Sequence, residues 1–212
     1  MRMSVMLPVV VCTAAPQAVR AQYGTPSERA VKKQLARLDK HCRNFIALSP
    51  FLVVATAGRD GLGDASPRGD APGFVAVLDD TTLLIPDRPG NNRIDTLQNL
   101  VDRPGIGLIF FVPGINETLR VNGEARITTD PALLAPLAMQ GKVPRSGILV
   151  AVKEAYLHCA KALIRAQLWD PTRHVERRTF PTLGRIIVDQ IGEGDVAATE
   201  SAIEDAYRSK LY

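Results

Sequence analysis

Between residues 51 and 152 the sequence leaves helical periodicity and is cut into short β-rich runs by turns too tight to hold a helix. This spacing limits the possible folds more than any other feature. Residues 51–57 are rich in β-formers, Arg59-Asp60-Gly61 turns the chain, and residues 64–68 return beside them. A second hairpin joins 73–78 to 82–86 through Asp79-Asp80. A helical stretch over 92–101, with Ile94, Leu97 and Leu100 or Val101 on one side, leads into a buried strand at 105–112. Pro113-Gly114-Ile115-Asn116 then turns the chain into an alternating strand over 118–128 that is interrupted at Asn122-Gly123. A short helix over 131–140 and a strand over 148–152 complete the series. Six or seven strands with one helical crossover predict an antiparallel sheet closed into a small barrel, because a doubly wound parallel sheet needs a helix between nearly every pair.

The flanks read as helical. Thr25 is placed to cap a helix with Pro26 in its first turn and Glu28 closing a capping box. This helix is expected to run to about Leu48, its stripe of Val31, Leu35, Leu38, Cys42 and Phe45 facing the core. A further helix is expected over 155–168, which would set His158, Lys161, Arg165 and Trp169 on one face, with Cys159 turned inward as a small buried hydrophobe. The division expected is an N-terminal extension over 1–24, the barrel domain with its leading helix over 25–171, and a helical extension over 172–212. Residues 1–21 carry a lone Arg2, a short apolar run broken by Pro8 and small residues, which reads either as a secretory signal or as an over-extended start.

Composition excludes several partners. With 46% hydrophobic and 23% charged residues the chain can bury a real core. Its net charge of +4 is dispersed without a like-charged block, which argues against nucleic acid, and no apolar run approaches the roughly 20 residues of a membrane span. Three cysteines, Cys12, Cys42 and Cys159, form neither a disulfide framework nor a metal cluster, so a cytoplasmic location and no bound metal are expected.

The order of motifs resembles a known family. Ser66-Pro67-Arg68-Gly69-Asp70, the Gly73-Phe74-Val75 hairpin, Asp87-Arg88-Pro89-Gly90-Asn91-Asn92-Arg93, Gly105 to Phe111 and Glu117 to Ala125 are together similar to the pyridoxamine 5'-phosphate oxidase-like flavin-binding split barrels. The resemblance spans about 51–171, and Pro181 to Gly184 resembles the tail of one bacterial subgroup. It implies a mainly β (α+β) fold, a six-stranded antiparallel split β-barrel with flanking helices, and a homodimer holding FMN in clefts between subunits. By position, it implies flavin contacts at Ser66, Arg68, Ile85 and Pro86, and a phosphate grip at Asn92 and Arg93. Thr118 stands where the oxidase has a glutamine near the flavin ring, with Arg120 on the same strand face. Asn92 departs from the family's usual Arg-Lys pair, and the oxidase's own C-terminal substrate pattern is not evident, which puts oxidation of pyridoxamine phosphate in doubt.

The residues themselves carry matching chemistry. A dianionic phosphate calls for guanidinium groups and for backbone N–H groups freed by glycine, which Arg68-Gly69 and Gly90 to Arg93 supply. Asn91 or Asn92 would cap the following helix and aim its positive end at the same anion. Lys161, Arg165 and Trp169 would cover the flavin or meet an anionic substrate. The competing reading pairs the arginines with Asp70, Asp87 and Asp95, leaves the late helix solvated, and has Trp169 anchor it to the core. The resemblance implies the activity of an FMN-dependent oxidoreductase or reductase acting on a small molecule, with NAD(P)H as a passing reductant, and no catalytic triad, paired carboxylates or dinucleotide-binding motif in the sequence offers protein-based chemistry instead. The alternatives are a non-catalytic flavin-binding or redox-sensing dimer, and a split barrel that takes deazaflavin or haem.

Overall fold

A computed structural model describes residues 16–209 and 211–212, so the signal-like run before Pro16 lies outside the described residues. The chain divides into two compact units, one ending at Lys33 and the other running from Gln34 to Tyr212. The first holds two short helices, α1 (Pro16–Tyr23) and α2 (Glu28–Lys32), the latter capped by Ser27 rather than Thr25. The second contains helix α3 (Lys40–Leu48), strands β1 (Phe51–Ala57), β2 (Gly63–Gly69), β3 (Ala76–Val77) and β4 (Thr82–Pro86), helix α4 (Asp95–Asp102), and strands β5 (Gly105–Phe111) and β6 (Thr118–Thr128). Helix α5 (Pro131–Leu134), strand β7 (Gly147–His158) and helices α6 (Lys161–Ala166), α7 (Leu183–Ile191) and α8 (Val196–Ser209) follow.

One antiparallel sheet of seven strands, in the order β2-β1-β5-β6-β7-β4-β3, makes the split barrel. The strand expected over 73–78 is reduced to the two-residue β3. Cross-strand pairs define the two faces. Leu52, Phe110 and Leu119 follow one another across β1, β5 and β6, all 0% exposed, and form the inner face with Val54, Leu108 and Val121. On β7 the inner face changes parity. Ala155 stands opposite Val121, but Val152 stands opposite Gly123, so Lys153 is an extra residue in the ladder. The bulge lets Ala155 on one side of it and Val152 and Val150 on the other point into the same core, which an unbroken period of two would forbid. Gly123 is required at that point, because a Cβ there would lie 2.2 Å from the Ala151 carbonyl oxygen.

Two expected helices are revised. The strand expected over 148–152 continues through the bulge to His158, because pairing with β6 out to Thr118 outweighs the helix-forming residues after Val152. The expected leading helix is broken between α2 and α3. Beyond Ala151 the β7 edge is no longer covered by β4, and Leu35 fills it by exchanging backbone hydrogen bonds with Ala155 at 3.0 and 2.7 Å. Asp39 then starts α3 by accepting from the His41 and Cys42 N–H groups. Leu38, Cys42 and Phe45 of the expected stripe are buried, but Val31 is 52% exposed. Burial pushes the Cys42 thiol up to about 11, as befits a core residue.

β2 is an edge strand, and Pro67, paired with Val53, sits at its middle. Between β2 and β4 there is no ladder. The barrel is closed there by side chains: Arg88 Nε donates to Asp70 Oδ2 at 2.6 Å, with the two side chains 15% and 0% exposed. Arg88 Nη1 also donates to the Leu137 carbonyl at 2.9 Å, and its guanidinium lies 5.8 Å from the centre of the Tyr212 ring. Asp70 in turn accepts from the Ala71 N–H and from the Tyr212 hydroxyl at 2.8 Å.

Burial alone would raise the Asp70 carboxyl, but these donors together hold it below the ordinary carboxylate value. The closure therefore adds stability above the unfolded-state pKa of Asp70 and loses it as pH falls through the lowered folded value. Arg88→Ala is expected to cost about 3 kcal/mol in chemical denaturation at neutral pH, because it leaves a buried carboxylate unpaired. The penalty should shrink in acid. An Arg88→Ala variant as stable as the parent at pH 7 would show that the pair does not close the barrel.

Candidate functional site

The gap between β2 and β4 gathers the polar segments that the sequence singled out. Asp64, Ser66 and Arg68 alternate with outward residues along β2 and stand opposite Thr56, Val54 and Leu52, so all three project from the inner face at the open edge. Arg68 Nη1 donates to Ser66 Oγ and, at 2.9 Å, to the Pro67 carbonyl. At the Arg68 end stands Asp87, just after β4. Burial raises its carboxyl above the ordinary value, and the nearby Arg68 charge offsets part of that rise. At the Asp64 end stands Arg93, whose guanidinium is held protonated mainly by Asp95, through a contact of 2.8 Å, and weakly by Asp64.

The loop leading to α4 is conformationally unusual. Asn92 and Ile94 both adopt left-handed backbone, with φ of 59° and 53°, a region costly for a β-branched residue. Asn91 Oδ1 accepts from the Arg93 N–H at 3.1 Å, so its amide shapes the loop rather than the helix. Contrary to expectation, neither asparagine caps α4. The N-cap residue is Ile94, which has no side-chain oxygen to offer, so no side chain caps the N–H groups of the first turn. Asn99, one turn on, ties the helix to the barrel by donating to Thr56 Oγ1 at 3.0 Å and to Asp64 Oδ2 at 3.4 Å.

The other expected residues are dispersed. Gly69 ends β2 and is exposed, while Ile85 and Pro86 are buried, so what they offer a ligand is backbone. Thr118 and Arg120 lie on the outer face of the sheet. Thr118 is 2% exposed and pairs with His158, and Arg120 pairs with Tyr156, its guanidinium 5.4 Å from that ring. Tyr156 was not anticipated, because its strand was read as a helix. Its ring also lies 6.3 Å from that of His158.

The cationic helical face expected from His158 to Trp169 does not form, since His158 ends β7 and only Lys161 and Arg165 lie on α6, both exposed. Trp169 Nε1 donates to the Ile115 carbonyl at 2.9 Å, the anchoring role that was the competing reading. Cys159 is exposed, not buried. Three arginine pairings of the competing reading are realised in whole or part: Arg88 with Asp70, Arg93 with Asp95, and Arg68 within electrostatic reach of Asp87. A separate open groove of about 500 Å³ lies beside α3 at the other end of β4, where Arg43 pairs with Asp80 and Asp39 already occupies the helix start.

Several solved structures resemble the chain at low identity. HupZ from Group A Streptococcus is 19% identical with a TM-score of 0.48, over 56% of this chain and 92% of that one. A candidate pyridoxamine 5'-phosphate oxidase from Lactobacillus delbrueckii is 19% identical with a TM-score of 0.46, over 58% and 98%. The FAD binding protein from Mycobacterium smegmatis is 16% identical with a TM-score of 0.40, over 58% and 98%. No curated protein matches. Among the described residues, no helix is long and apolar enough to cross a membrane. The sequence profile of the pyridoxamine 5'-phosphate oxidase family covers residues 38–159, which is more than half of the chain and includes all seven strands, and the chain belongs to that family.

Proposed function

We propose that the protein is an FMN-dependent oxidoreductase of a small-molecule substrate, working as a homodimer whose flavin sites are shared between subunits. The observation that carries this reading is the alignment of Ser66 and Arg68 along one inner-face edge, beside a helix whose first turn lacks a side-chain cap. A phosphate fits that donor set: a guanidinium gives two parallel charge-assisted bonds, a hydroxyl adds a third, and an open helix start favours negative charge. Arg93, on the same side of β2, raises the local potential while remaining paired to Asp95. Bound FMN supplies the electron or hydride transfer, and the protein supplies position and field.

The layout of the sheet supports a site shared between two subunits. Arg68 is on its inner face and Arg120 on its outer face, several strands away. One flavin that meets both kinds of residue draws them from different copies. The outer face is suited to such a contact, since Phe51, 40% exposed, packs at 6.0 Å against Phe111 beside the half-buried Val53 and Ile109. There Arg120 and Tyr156 would face the ring, with Arg120 favouring negative charge on it when reduced.

Asp87 sets the pH dependence of this site. Its carboxylate opposes the phosphate beside Arg68. As pH falls through its raised pKa the carboxylate becomes neutral and the opposition vanishes. Asp87→Asn is thus expected to tighten FMN binding about five- to tenfold at pH 7, at the strength of a single screened charge. That ratio should fall toward one as the solution is acidified, since the protonation of the phosphate itself is common to parent and variant. A ratio that does not change with pH would show that Asp87 plays no such part.

Arg68→Ala and Arg120→Ala are each expected to yield folded protein with FMN affinity at least about tenfold weaker by fluorescence titration, the effect of losing one charge-assisted contact. Co-expressed, the two variants should regain tight binding in about a quarter of sites, because a heterodimer holds one intact site and one doubly altered one. Recovery of none would refute the shared site, and unchanged affinity in Arg68→Ala would refute the phosphate assignment.

A further inference from the structure

Tyr212, beyond α8, reaches the rim of this cleft. Tyr212 donates its hydroxyl to Asp70 and lays its ring beside Arg88, while its carbonyl oxygen accepts from Lys142 Nζ at 2.5 Å. Its three contacts thus fall on three separate parts of the barrel: the end of β2, the turn after β4, and the turn that precedes β7. None of them is made within the C-terminal helices.

The Asp70 N–H donates to the Pro50 carbonyl, so β2 keeps its ladder geometry to that point. Asp70 and Arg68 therefore stand on the same face, two residues or about 7 Å apart along the strand. We infer that Tyr212 is a positioning residue that straps the cleft at the Asp70–Arg88 pair, so that release of residues 211–212 opens the approach to Ser66 and Arg68. Tyr212 acts through Asp70 and Arg88 and does not contact the ligand. Because Asp70 is engaged by three separate donors, loss of Tyr212 loosens the pair without abolishing it. The strap therefore governs access and exchange, and the barrel stays closed without it. Its role as a gate for a phosphate-bearing cofactor rests on the FMN reading above, whereas its control of access to Arg68 does not.

The test compares the parent protein, Tyr212→Phe and a variant truncated after Ser209. The first readout is the rate at which phenylglyoxal modifies Arg68, followed by peptide mass spectrometry, with the exposed Arg178 as an internal control for general unfolding. The truncated variant is expected to be modified at Arg68 about tenfold faster, as the loss of a charge-assisted hydrogen bond implies, with Tyr212→Phe in between and Arg178 unchanged. The second readout is the rate of FMN release after dilution, expected to rise in the same order. An unchanged Arg68 rate in both variants overturns the strap. So does a rise shared equally by Arg178, which reports global loosening. If the parent does not bind FMN, the functional reading falls while the Arg68 rates still decide the strap. If the truncated variant fails to fold, Tyr212→Phe alone decides it by the same criterion.

Discussion

The barrel is held shut by an ion pair where β2 and β4 share no strand ladder. β2 and β4 are not neighbours in the sheet, and their main chains do not meet. Asp70 and Arg88 bridge them, almost fully out of water, and draw in the Leu137 carbonyl and the Tyr212 phenol. A buried pair of this kind adds little net stability over an apolar substitute, but it is severe on any geometry that separates the partners. Such a closure fixes where the edges stand without sealing the space between them. That is the condition for a cleft: Ser66, Arg68 and Asp87 remain half-buried between two strands and are not absorbed into a continuous ladder.

The two faces of the sheet divide the work. The inner face is apolar through Leu52, Phe110 and Leu119 and turns polar only at the β2 edge. The outer face mixes Phe51 and Phe111 with Arg120, Tyr156 and His158. Neither face alone holds both an edge of guanidinium and hydroxyl groups and an aromatic, cationic platform. The proposed function joins them through symmetry, so its two halves can be tested separately.

Much of this was legible in the sequence where short-range physics decides. The hairpins followed from runs of β-forming residues bounded by tight turns, and the irregularity at Asn122-Gly123 marked the bulge opposite Lys153. Cys42 was readable as core from its helical spacing. Long-range competition was not visible. The residues after Val152 favour a helix locally but are captured by β6, and Leu35 leaves its helix because the β7 edge has an opening there. The late cationic face was lost with that helix, and Tyr156 was missed for the same reason. The charges of Arg68, Arg88 and Arg93 were plain from the sequence, as were the acids available to them. Which arginine would close the barrel and which would face the cleft depends on distances that only the folded sheet sets.

Pro67 carries a consequence for how copies of this chain can meet. Set in the middle of the outermost strand, it has no amide hydrogen to offer an incoming strand, and Arg68 beside it adds a charge. Edge-to-edge growth into a continuous ribbon is thereby blocked on that flank.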